Sequence, residues 1–450
     1  MRGGVGTVAT KEEVAEEAVP PSQRARHVVL AGVLGAAAVV EFLFVTAGSG
    51  KNAILTVAKF FGLHAALLLI VQLTLAARLP WLDHRIGMDR LTVWHRWTGF
   101  ALFWVIVTHA LLILMGYAAL YDMSIGATFL SLAGVPASLF GMIAAALIVS
   151  VGGLSLSRVR RRLRYEVWHG LHLLTYVAFS FAFVHQLLET TTFASSVWAM
   201  VFWWAMWIFA VGSLVVGRVV RPLRRNAFHR FRVAEVVPEQ GNAVSVYVTG
   251  RHLDRLPARA GQFAIWRFPG RRHWWLANPF SLSAAPNGHY LRLTAKSVGD
   301  GSAALRRLEP GDRAFLEGPY GAFTSLHRIR DKSLLIAGGI GITPIRSLLE
   351  EEMGDAVVLY RVRTEQDAPL LGEVRDLVQR KGGRLELLTG RTTDGNRPFT
   401  PERLRELVPD VTQRDVYVCG PTAMTKTVIR TLRSLDVPAA QIHAERFGLA

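Results

Sequence analysis

Six long apolar runs fill the first half of the sequence and constrain its fold more than any other feature. They fall at about 27–47, 53–77, 91–116, 136–157, 166–188 and 196–219. Each run approaches the roughly 20 residues that an α-helix needs to cross the hydrocarbon core of a bilayer. The sequence therefore predicts a bundle of six membrane-spanning helices, which returns the chain to the side on which it started.

The distribution of charge predicts the orientation of this bundle. The formal net charge is +17, and arginines are concentrated in the loops after the second, fourth and sixth runs. The loops after the first, third and fifth runs contain a single basic residue, Lys51. Because Lys and Arg accumulate in cytoplasmic loops, we expect a cell-membrane protein with both termini in the cytoplasm and no nucleic-acid partner. Residues 1–24 are polar, and their acidic residues are unlike a signal peptide, so we expect a flexible tail.

Four histidines recur at matched depths in the third and fifth runs. His95 and His109 are 14 residues apart, and His172 and His185 are 13 apart. Both spacings are close to four helical turns, so each pair lies on one helix face. Since the two helices run in opposite directions, His95 should face His172 near the cytoplasmic side, and His109 should face His185 near the outer side. Paired imidazoles are axial ligands of heme iron, and the pattern predicts two stacked hemes.

Other polar residues of the membrane region leave alternatives open. A single intramembrane histidine is as well explained by packing or by an interfacial position, and this reading stays open for His64 and His169. Glu41 and Lys59 both fall in the outer third of their helices. We expect these two to pair there or to order water, although Lys59 could equally extend to the interface.

The first half resembles the ferric reductase / NADPH oxidase superfamily. Members of that family have six transmembrane helices, two b-type hemes held by histidine pairs on helices three and five, and a cytoplasmic dehydrogenase. The resemblance covers about residues 27–450. It implies two heme b groups in this chain and a second half that binds FAD and a nicotinamide nucleotide.

The second half has the patterns of two further domains. From about residue 228, apolar and polar residues alternate around a Gly-Asn turn, which is typical of hairpins and small barrels. Beyond residue 330, strands alternate with helices, which predicts a parallel sheet with ligands at the carboxyl ends of its strands. The predicted organisation is a tail at 1–24, a transmembrane heme domain at 25–222, an antiparallel FAD-binding β-barrel at 226–327, and an α/β NAD(P)H-binding domain at 331–450.

Two motifs in the barrel are similar to the flavin-binding motifs of the family. The first is Asn278-Pro279-Phe280-Ser281, and the resemblance implies that Phe280 packs on the flavin while Ser281 hydrogen-bonds near its N5. Asn278 stands where the family usually has Arg or His, so it brings no charge to the FAD pyrophosphate. The second is a glycine-and-hydroxyl turn at a helix start, suited to a phosphate, with candidate residues Lys296, Gly299, Gly301 and Ser302.

The α/β half contains the candidate nicotinamide site. An apolar strand enters a glycine-rich turn before a helix, as in nucleotide-binding βα units, with candidate contacts Gly338, Gly339, Gly341, Thr343 and Pro344. The resemblance places a later strand end beside the nicotinamide, at Cys419, Gly420 and Pro421, and a near-terminal aromatic, Phe447, on the flavin. Cys419 and Phe447 are the candidate catalytic residues, although Cys419 by itself is more simply explained as a small packed residue of the strand. Arg363 and Arg397 could pair with a 2′-phosphate, which favours NADPH over NADH, or be solvated surface charge.

These features together predict transmembrane electron transfer from cytoplasmic NADPH (or NADH), through FAD and two hemes b, to an acceptor outside. Dioxygen, giving superoxide, is the first hypothesis, and a ferric chelate such as a siderophore is the second. A transporter or sensor with a regulatory nucleotide-binding domain is a hypothesis of another class, and four depth-matched histidines argue against it. The oligomeric state and the physiological acceptor are left open by the sequence.

Overall fold

The computed structural model describes residues 21–160, 162–163, 165–189, 196–270, 278–297, 300–351, 355–391 and 395–446. Within these ranges, six helices are long and apolar enough to cross a membrane. They are Gln23–Thr46, Ala53–Ala76, Arg90–Tyr121, Pro136–Ser155, Val167–Leu188 and Val197–His229. All six predicted runs are therefore confirmed as helical.

The helices of this half are α1 (Pro21–Thr46), α2 (Ala53–Ala76), α3 (Pro80–Ile86), α4 (Met88–Tyr121), α5 (Ile125–Ala133), α6 (Pro136–Ser155), α7 (Ser157–Arg160), α8 (Tyr165–His172), α9 (Leu174–Leu188), α10 (Val197–Val215) and α11 (Arg221–His229). Two of them, α3 and α5, are short helices in segments predicted as loops. The fifth span is divided at Leu173 between α8 and α9. The sixth continues through a π-helical turn, Val216–Val220, into α11, so it ends about ten residues later than predicted.

Large side chains fill the centre of the bundle. Trp203 and Trp207 of α10 pack with Leu63 and Ile70 of α2 in one buried cluster. The indole Nε1 of Trp207 donates a hydrogen bond of 3.0 Å to Gln186, which satisfies a polar group that lipid could not. Exposed Val, Leu, Phe and Trp side chains cover much of the bundle's outer surface, as expected for helices that face hydrocarbon.

The next domain is built from two antiparallel sheets. Its strands are β1 (Arg232–Glu239), β2 (Ala243–Thr249), β3 (Phe263–Arg267), β4 (Asn278–Ser281), β5 (Leu291–Lys296) and β6 (Phe315–Tyr320), with a short helix α12 (Asp300–Ala304) after β5. The sheet orders are β1-β2-β5 and β4-β3-β6. Gln240, Gly241 and Asn242 join β1 to β2, and the last two have φ of 67° and 58°, the positive values that tight hairpin turns use. The predicted Gly-Asn turn is confirmed.

The last domain is a parallel sheet with intervening helices. Its elements are β7 (Lys332–Gly338), α13 (Ile342–Glu350), β8 (Ala356–Arg361), α14 (Leu371–Arg380), β9 (Arg384–Leu388), α15 (Pro401–Leu407), β10 (Arg414–Gly420), α16 (Thr422–Ser434) and β11 (Ile442–Arg446). The strand order is β11-β10-β7-β8-β9. From β7 the chain builds β8 and β9 on one side, and it then returns to build β10 and β11 on the other side of β7. The strand order therefore reverses between β7 and β10, which is the switch point where such sheets bind ligands. The predicted fold class is confirmed.

Candidate functional site

The structure brings His95 and His172 together. Their ring centroids are 6.2 Å apart and their planes cross at 67°. His95 lies near the start of α4, and His172 is the last residue of α8. Both Nδ1 atoms are buried and have no hydrogen-bond partner among the described residues. Buried polar atoms are normally hydrogen-bonded. Two facing imidazoles with unsatisfied buried nitrogens are therefore a candidate ligand-binding site.

His109 and His185 form a second pair, in which one ring nitrogen of each is already engaged. His109 Nδ1 lies 2.8 Å from the carbonyl oxygen of Ala58, and His185 Nδ1 lies 2.7 Å from that of Ala137. A carbonyl can only accept, so each Nδ1 carries the proton and each Nε2 keeps its lone pair for a metal. His185 lies within electrostatic range of His109.

Two glycines make room for this second pair. A Cβ on Gly62 would lie 2.8 Å from His109 Cε1, and a Cβ on Gly141 would lie 2.9 Å from His185 Nδ1. The side chains of α2 and α6 are therefore reduced to hydrogen where the imidazoles pass. Sequence reasoning missed both glycines. A glycine within a membrane-spanning helix was the signal that could have indicated a close approach by a large side chain from a neighbouring helix.

The pair of His95 and His172 fits a metal held by two imidazoles. An imidazole nitrogen binds a metal at about 2.0–2.1 Å, so rings with centroids 6.2 Å apart leave room for one metal atom between them. Heme iron takes axial ligands of this type. The four imidazoles lie on helices α4, α8 and α9, and imidazole nitrogen is the donor type that an axial site requires.

The expected pairing of Glu41 with Lys59 is wrong. Glu41 Oε1 lies 3.2 Å from His64 Nε2. Lys59 Nζ instead donates to the carbonyl oxygens of Ala47 and Gly48, at 3.2 and 3.0 Å, where α1 has just ended. The C-terminal end of a helix is partly negative and attracts a cation. Lys59 therefore caps the end of α1, and Glu41 pairs with the imidazole of His64.

The flavin motif forms strand β4. Asn278 pairs in register with Trp266, and Ser281 pairs with Phe263. Phe280 packs against the barrel core, and Ser281 Oγ is buried without a hydrogen-bond partner among the described residues. A buried hydroxyl in this state can still donate to a ligand. The structure therefore leaves Ser281 able to take the role that the resemblance implies.

The second flavin motif is only partly described. Lys296 ends β5, with its Nζ 3.9 Å from Asp367 Oδ1. Gly301 and Ser302 belong to α12, as a helix start requires, and Ser302 is buried. Gly299 lies outside the described residues, as does Phe447.

The glycine-rich turn and the Cys-Gly-Pro segment lie against each other. A Cβ on Gly341 would lie 2.3 Å from the carbonyl oxygen of Cys419, and one on Gly420 would lie 3.0 Å from Gly338 Cα. Gly339 has a φ of 54°, a conformation that favours glycine. Strands β7 and β10 pair in parallel, so both motifs stand at the same carboxyl edge. The structure thereby joins two motifs that lie about 80 residues apart in the sequence.

Four other predicted nucleotide contacts lie near this turn or beyond strand β8. Thr343 Oγ1 donates to the carbonyl oxygen of Ile340 at 3.0 Å, so the hydroxyl tightens the turn, and Pro344 is buried in the first turn of α13. Arg363 is exposed just beyond β8, and Arg397 is exposed in a later loop. Arg361 donates to the carbonyl oxygen of Asn396 at 3.2 Å, which ties the segment preceding Arg397 to the end of β8.

Cys419 is fully buried near the end of β10. Burial raises the pKa of its thiol, and the carboxylate of Glu445, its partner on β11, raises it further. The thiol is therefore neutral and packs as a small apolar group. This environment opposes a thiolate nucleophile but is compatible with a position beside a planar ligand.

Comparison with known families agrees with the two halves. Residues 61–183 match the family of the ferric reductase like transmembrane component, and residues 335–430 match the oxidoreductase NAD-binding domain. The chain thus has the domain pairing of the ferric reductase / NADPH oxidase superfamily. It is an oxidoreductase that joins a ferric reductase-like transmembrane domain to an FAD/NAD-binding reductase domain.

Individual relatives of this ferric reductase-like chain resemble only part of it. The ferredoxin reductase component of 3-ketosteroid-9-alpha-monooxygenase from Mycolicibacterium smegmatis is 32% identical over 229 residues, which are 48% of this chain and 64% of the relative. The probable electron transfer subunit of dihydroorotate dehydrogenase B from Methanocaldococcus jannaschii is 28% identical over 219 residues, which are 48% and 77%. The solved FAD/NAD-binding domain of nitric oxide dioxygenase from Vibrio cholerae shares 25% identity, covers 48% of this chain and 98% of that one, and has a TM-score of 0.42.

Proposed function

We propose that this protein carries electrons across a cell membrane from cytoplasmic NADPH, through FAD and two b-type hemes, to dioxygen outside, giving superoxide. Each NADPH would then reduce two molecules of dioxygen and yield NADP⁺, one proton and two superoxide ions, which balances atoms and charge. A transmembrane domain of the ferric reductase type joined to a reductase module supports electron transfer across the bilayer. The observation that carries the two-heme part is the pairing of His95 with His172 and of His109 with His185.

The chain's own residues divide the task by depth. A bis-imidazole heme accepts and passes on one electron at a time, whereas a flavin takes a hydride and can release its electrons singly, which is why both groups are needed. His95 and His172 would hold one heme near the dehydrogenase. His109 and His185 would hold the other near the opposite face, with their Nδ1 protons fixed by Ala58 and Ala137.

The dehydrogenase half would bind its two ligands at facing strand ends. Residues 226–327 would carry FAD through Ser281, Phe280 and the turn beside Lys296. Residues 331–450 would carry the nicotinamide nucleotide at the close approach of Gly341 to Cys419. Exposed Arg363 and Arg397 beyond β8 supply positive charge for a 2′-phosphate, so NADPH is the proposed donor. We place residues 1–24 and both termini in the cytoplasm because the arginine-rich loops lie on that side.

A spectroscopic experiment tests this proposal. The full chain would be purified in detergent, supplied with FAD and treated with NADPH without oxygen. Appearance of reduced b-type heme bands is expected. Heme that stays oxidised while the flavin is reduced would contradict the route, and absence of heme would contradict the histidine assignment.

The acceptor is tested separately. With oxygen present, dye reduction that superoxide dismutase abolishes is expected. Reduction of a ferric chelate that persists without oxygen would instead identify the chelate as the direct acceptor, and would overturn the dioxygen assignment.

A further inference from the structure

The sheet that carries the flavin motif is attached to the membrane bundle along its other edge. In the order β4-β3-β6, β4 holds Asn278 to Ser281 at one edge, and β6 forms the other. An edge strand exposes unpaired backbone groups. Here the bundle supplies their partners.

Three side chains from helices of the first half bind the backbone of β6 and the residue after it. Asn226 of α11 donates to the carbonyl oxygen of Leu316 at 2.8 Å and accepts from its N–H at 2.9 Å. His84 of α3 donates to the carbonyl oxygen of Pro319 at 3.2 Å. Asp83 accepts from the N–H of Gly321 at 2.7 Å, and Asp83 is completely buried. Side chains of the first half therefore hydrogen-bond to the backbone near the start of this strand, near its end and at the residue after it.

Glu317 is the charged centre of the same contact. Its carboxylate is 6% exposed and lies 2.5 Å from Arg78, 3.0 Å from Arg267 and 3.4 Å from Arg218. Arg78 follows the second span, Arg218 lies in the π-helical turn of the sixth, and Arg267 ends β3. Although burial alone would raise the pKa of Glu317, the three guanidinium groups lower it, so the carboxylate is ionised. One side chain thus joins two membrane spans to the flavin sheet.

This contact lies on the side of the bundle that holds the first histidine pair. Arg218 is within electrostatic range of His95 and of His169. His169, which the sequence left without a role, therefore lies among the arginines of this junction. Glu317 thus connects the sheet of the flavin motif to Arg218, which is within electrostatic range of His95.

We propose that Glu317 is a positioning residue that fixes the flavin sheet against the inner histidine pair, so that flavin and inner heme keep one short separation without domain movement. The inference rests on the proposed electron route. Electron transfer between bound groups slows steeply as their separation grows, whereas hydride transfer from NADPH to the flavin depends on how the barrel and the α/β domain pack against each other. Weakening the contacts of Glu317 should therefore slow electron transfer to the heme and leave hydride transfer to the flavin unchanged.

The test is a rapid-mixing experiment on full-length Glu317→Gln with heme and FAD bound. We expect flavin reduction by NADPH at the wild-type rate, and heme reduction slower by about tenfold or more, because Gln cannot neutralise the three guanidinium groups and an unpaired buried charge weakens the contact that keeps the separation short. Hydrogen exchange of the amides in residues 315–321 should also accelerate. Glu317→Asp, which keeps the charge, should restore part of both.

Glu406→Gln is the matched control, because Glu406 pairs with Arg403 at 2.8 Å but both are exposed; neither readout should change. Unchanged heme reduction and unchanged exchange in Glu317→Gln would overturn the inference. Should that variant fail to retain cofactors, Asn226→Ala removes two bonds to β6 from the other half, and equal rates in it would overturn the inference as well. Failure of the proposed function is distinguishable, since heme in the wild type would then not be reduced at all.

Discussion

At the scale of single residues, the second histidine pair shows how a backbone prepares a ligand. A histidine can carry its proton on either ring nitrogen, and only one choice leaves the outward nitrogen free. The carbonyl oxygens of Ala58 and Ala137 make that choice for His109 and His185. The ring orientation is thus set by α2 and α6, which carry none of the four paired histidines.

Gly62→Val should remove one heme and keep the other. A Cβ at this position would press on His109 Cε1 at 2.8 Å, so the imidazole must turn away from its carbonyl partner. We expect the heme content per protein to fall to about half. Heme extracted from purified protein and measured by its pyridine complex gives the ratio. Gly35→Val in α1 is the control, because no atom lies within 4 Å of its Cβ; equal heme content in both variants would contradict the role of Gly62.

The sequence predicted these histidines better than it predicted their surroundings. Spacing along a helix follows from 3.6 residues per turn, so depth and face could be read for His95, His109, His172 and His185. The same arithmetic gives depth for Glu41 and Lys59 but not the rotation of one helix against another. Their pairing was therefore wrong, since His64 of the adjacent helix faces Glu41 instead.

At the scale of elements, a buried ionic contact holds the barrel against the α/β domain. Arg292 of β5 is 2% exposed and donates to Ser283 Oγ at 3.0 Å and to Glu373 of α14 at 2.9 Å. Arg346 of α13 also donates to Glu373, at 2.7 Å. Although burial opposes it, hydrogen bonds and charge from Arg292 and Arg346 lower the pKa of Glu373. The contact joins β5 to two helices of the next domain.

Glu373→Gln should slow hydride transfer and leave flavin-to-heme transfer unchanged. Removing the charge weakens the link between the two ligand-bearing domains, at a cost of about 1 kcal/mol once the partial exposure of Glu373 is allowed for. Rapid mixing with NADPH measures both steps. Glu365→Gln is the control, because Glu365 and Arg375 form an exposed pair at 2.7 Å. A selective loss of heme reduction would contradict this division of roles.

Elements were predicted where one local pattern decides them. Alternating residues around Gly241-Asn242 gave the hairpin, and a glycine-rich turn after an apolar strand gave the βα unit. The division of the fifth span at Leu173 and the extension of the sixth through Val216–Val220 were not predicted. Hydropathy measures how apolar a segment is and not its helical geometry, so neither change could be predicted from the apolar runs.

At the scale of the whole molecule, two histidines make the contact between the halves sensitive to pH. Burial is the main cause that lowers the pKa of His84 and of His327, and Arg225 adds to it for His84. The docked form keeps both imidazoles neutral, whereas the separated form would protonate them near the ordinary value of 6.5. Docking is thus fully favourable above that pH and weakens as the pH falls through it.

Hydrogen exchange of residues 315–321 should accordingly become faster below pH 6.5. The double variant His84→Gln, His327→Gln keeps donors at both positions but cannot titrate, so its exchange should change less with pH. His289→Gln, at an exposed position, is the control and should behave as the wild type. An undiminished pH response in the double variant would assign the effect to other groups.

The docking of the two halves was beyond sequence reasoning. Motifs predicted that a heme bundle and a flavin dehydrogenase share this chain, because each motif is local. Arg78 and Glu317 are 239 residues apart, and nothing in the spacing of either indicates the other. The arginine-rich loop that contains Arg78 was interpreted as a signal of orientation, and in the structure Arg78 also binds Glu317 of the second half.

The side chains that bind the edge strand β6 also affect whether the chain can aggregate. A bare strand edge is a template for pairing with any other strand, including one from a second copy. The hydrogen bonds from Asn226, His84 and Asp83 occupy that template as soon as the halves meet. A fragment that begins after residue 229 would present it uncovered. The membrane helices therefore act for the dehydrogenase as a built-in guard against aggregation.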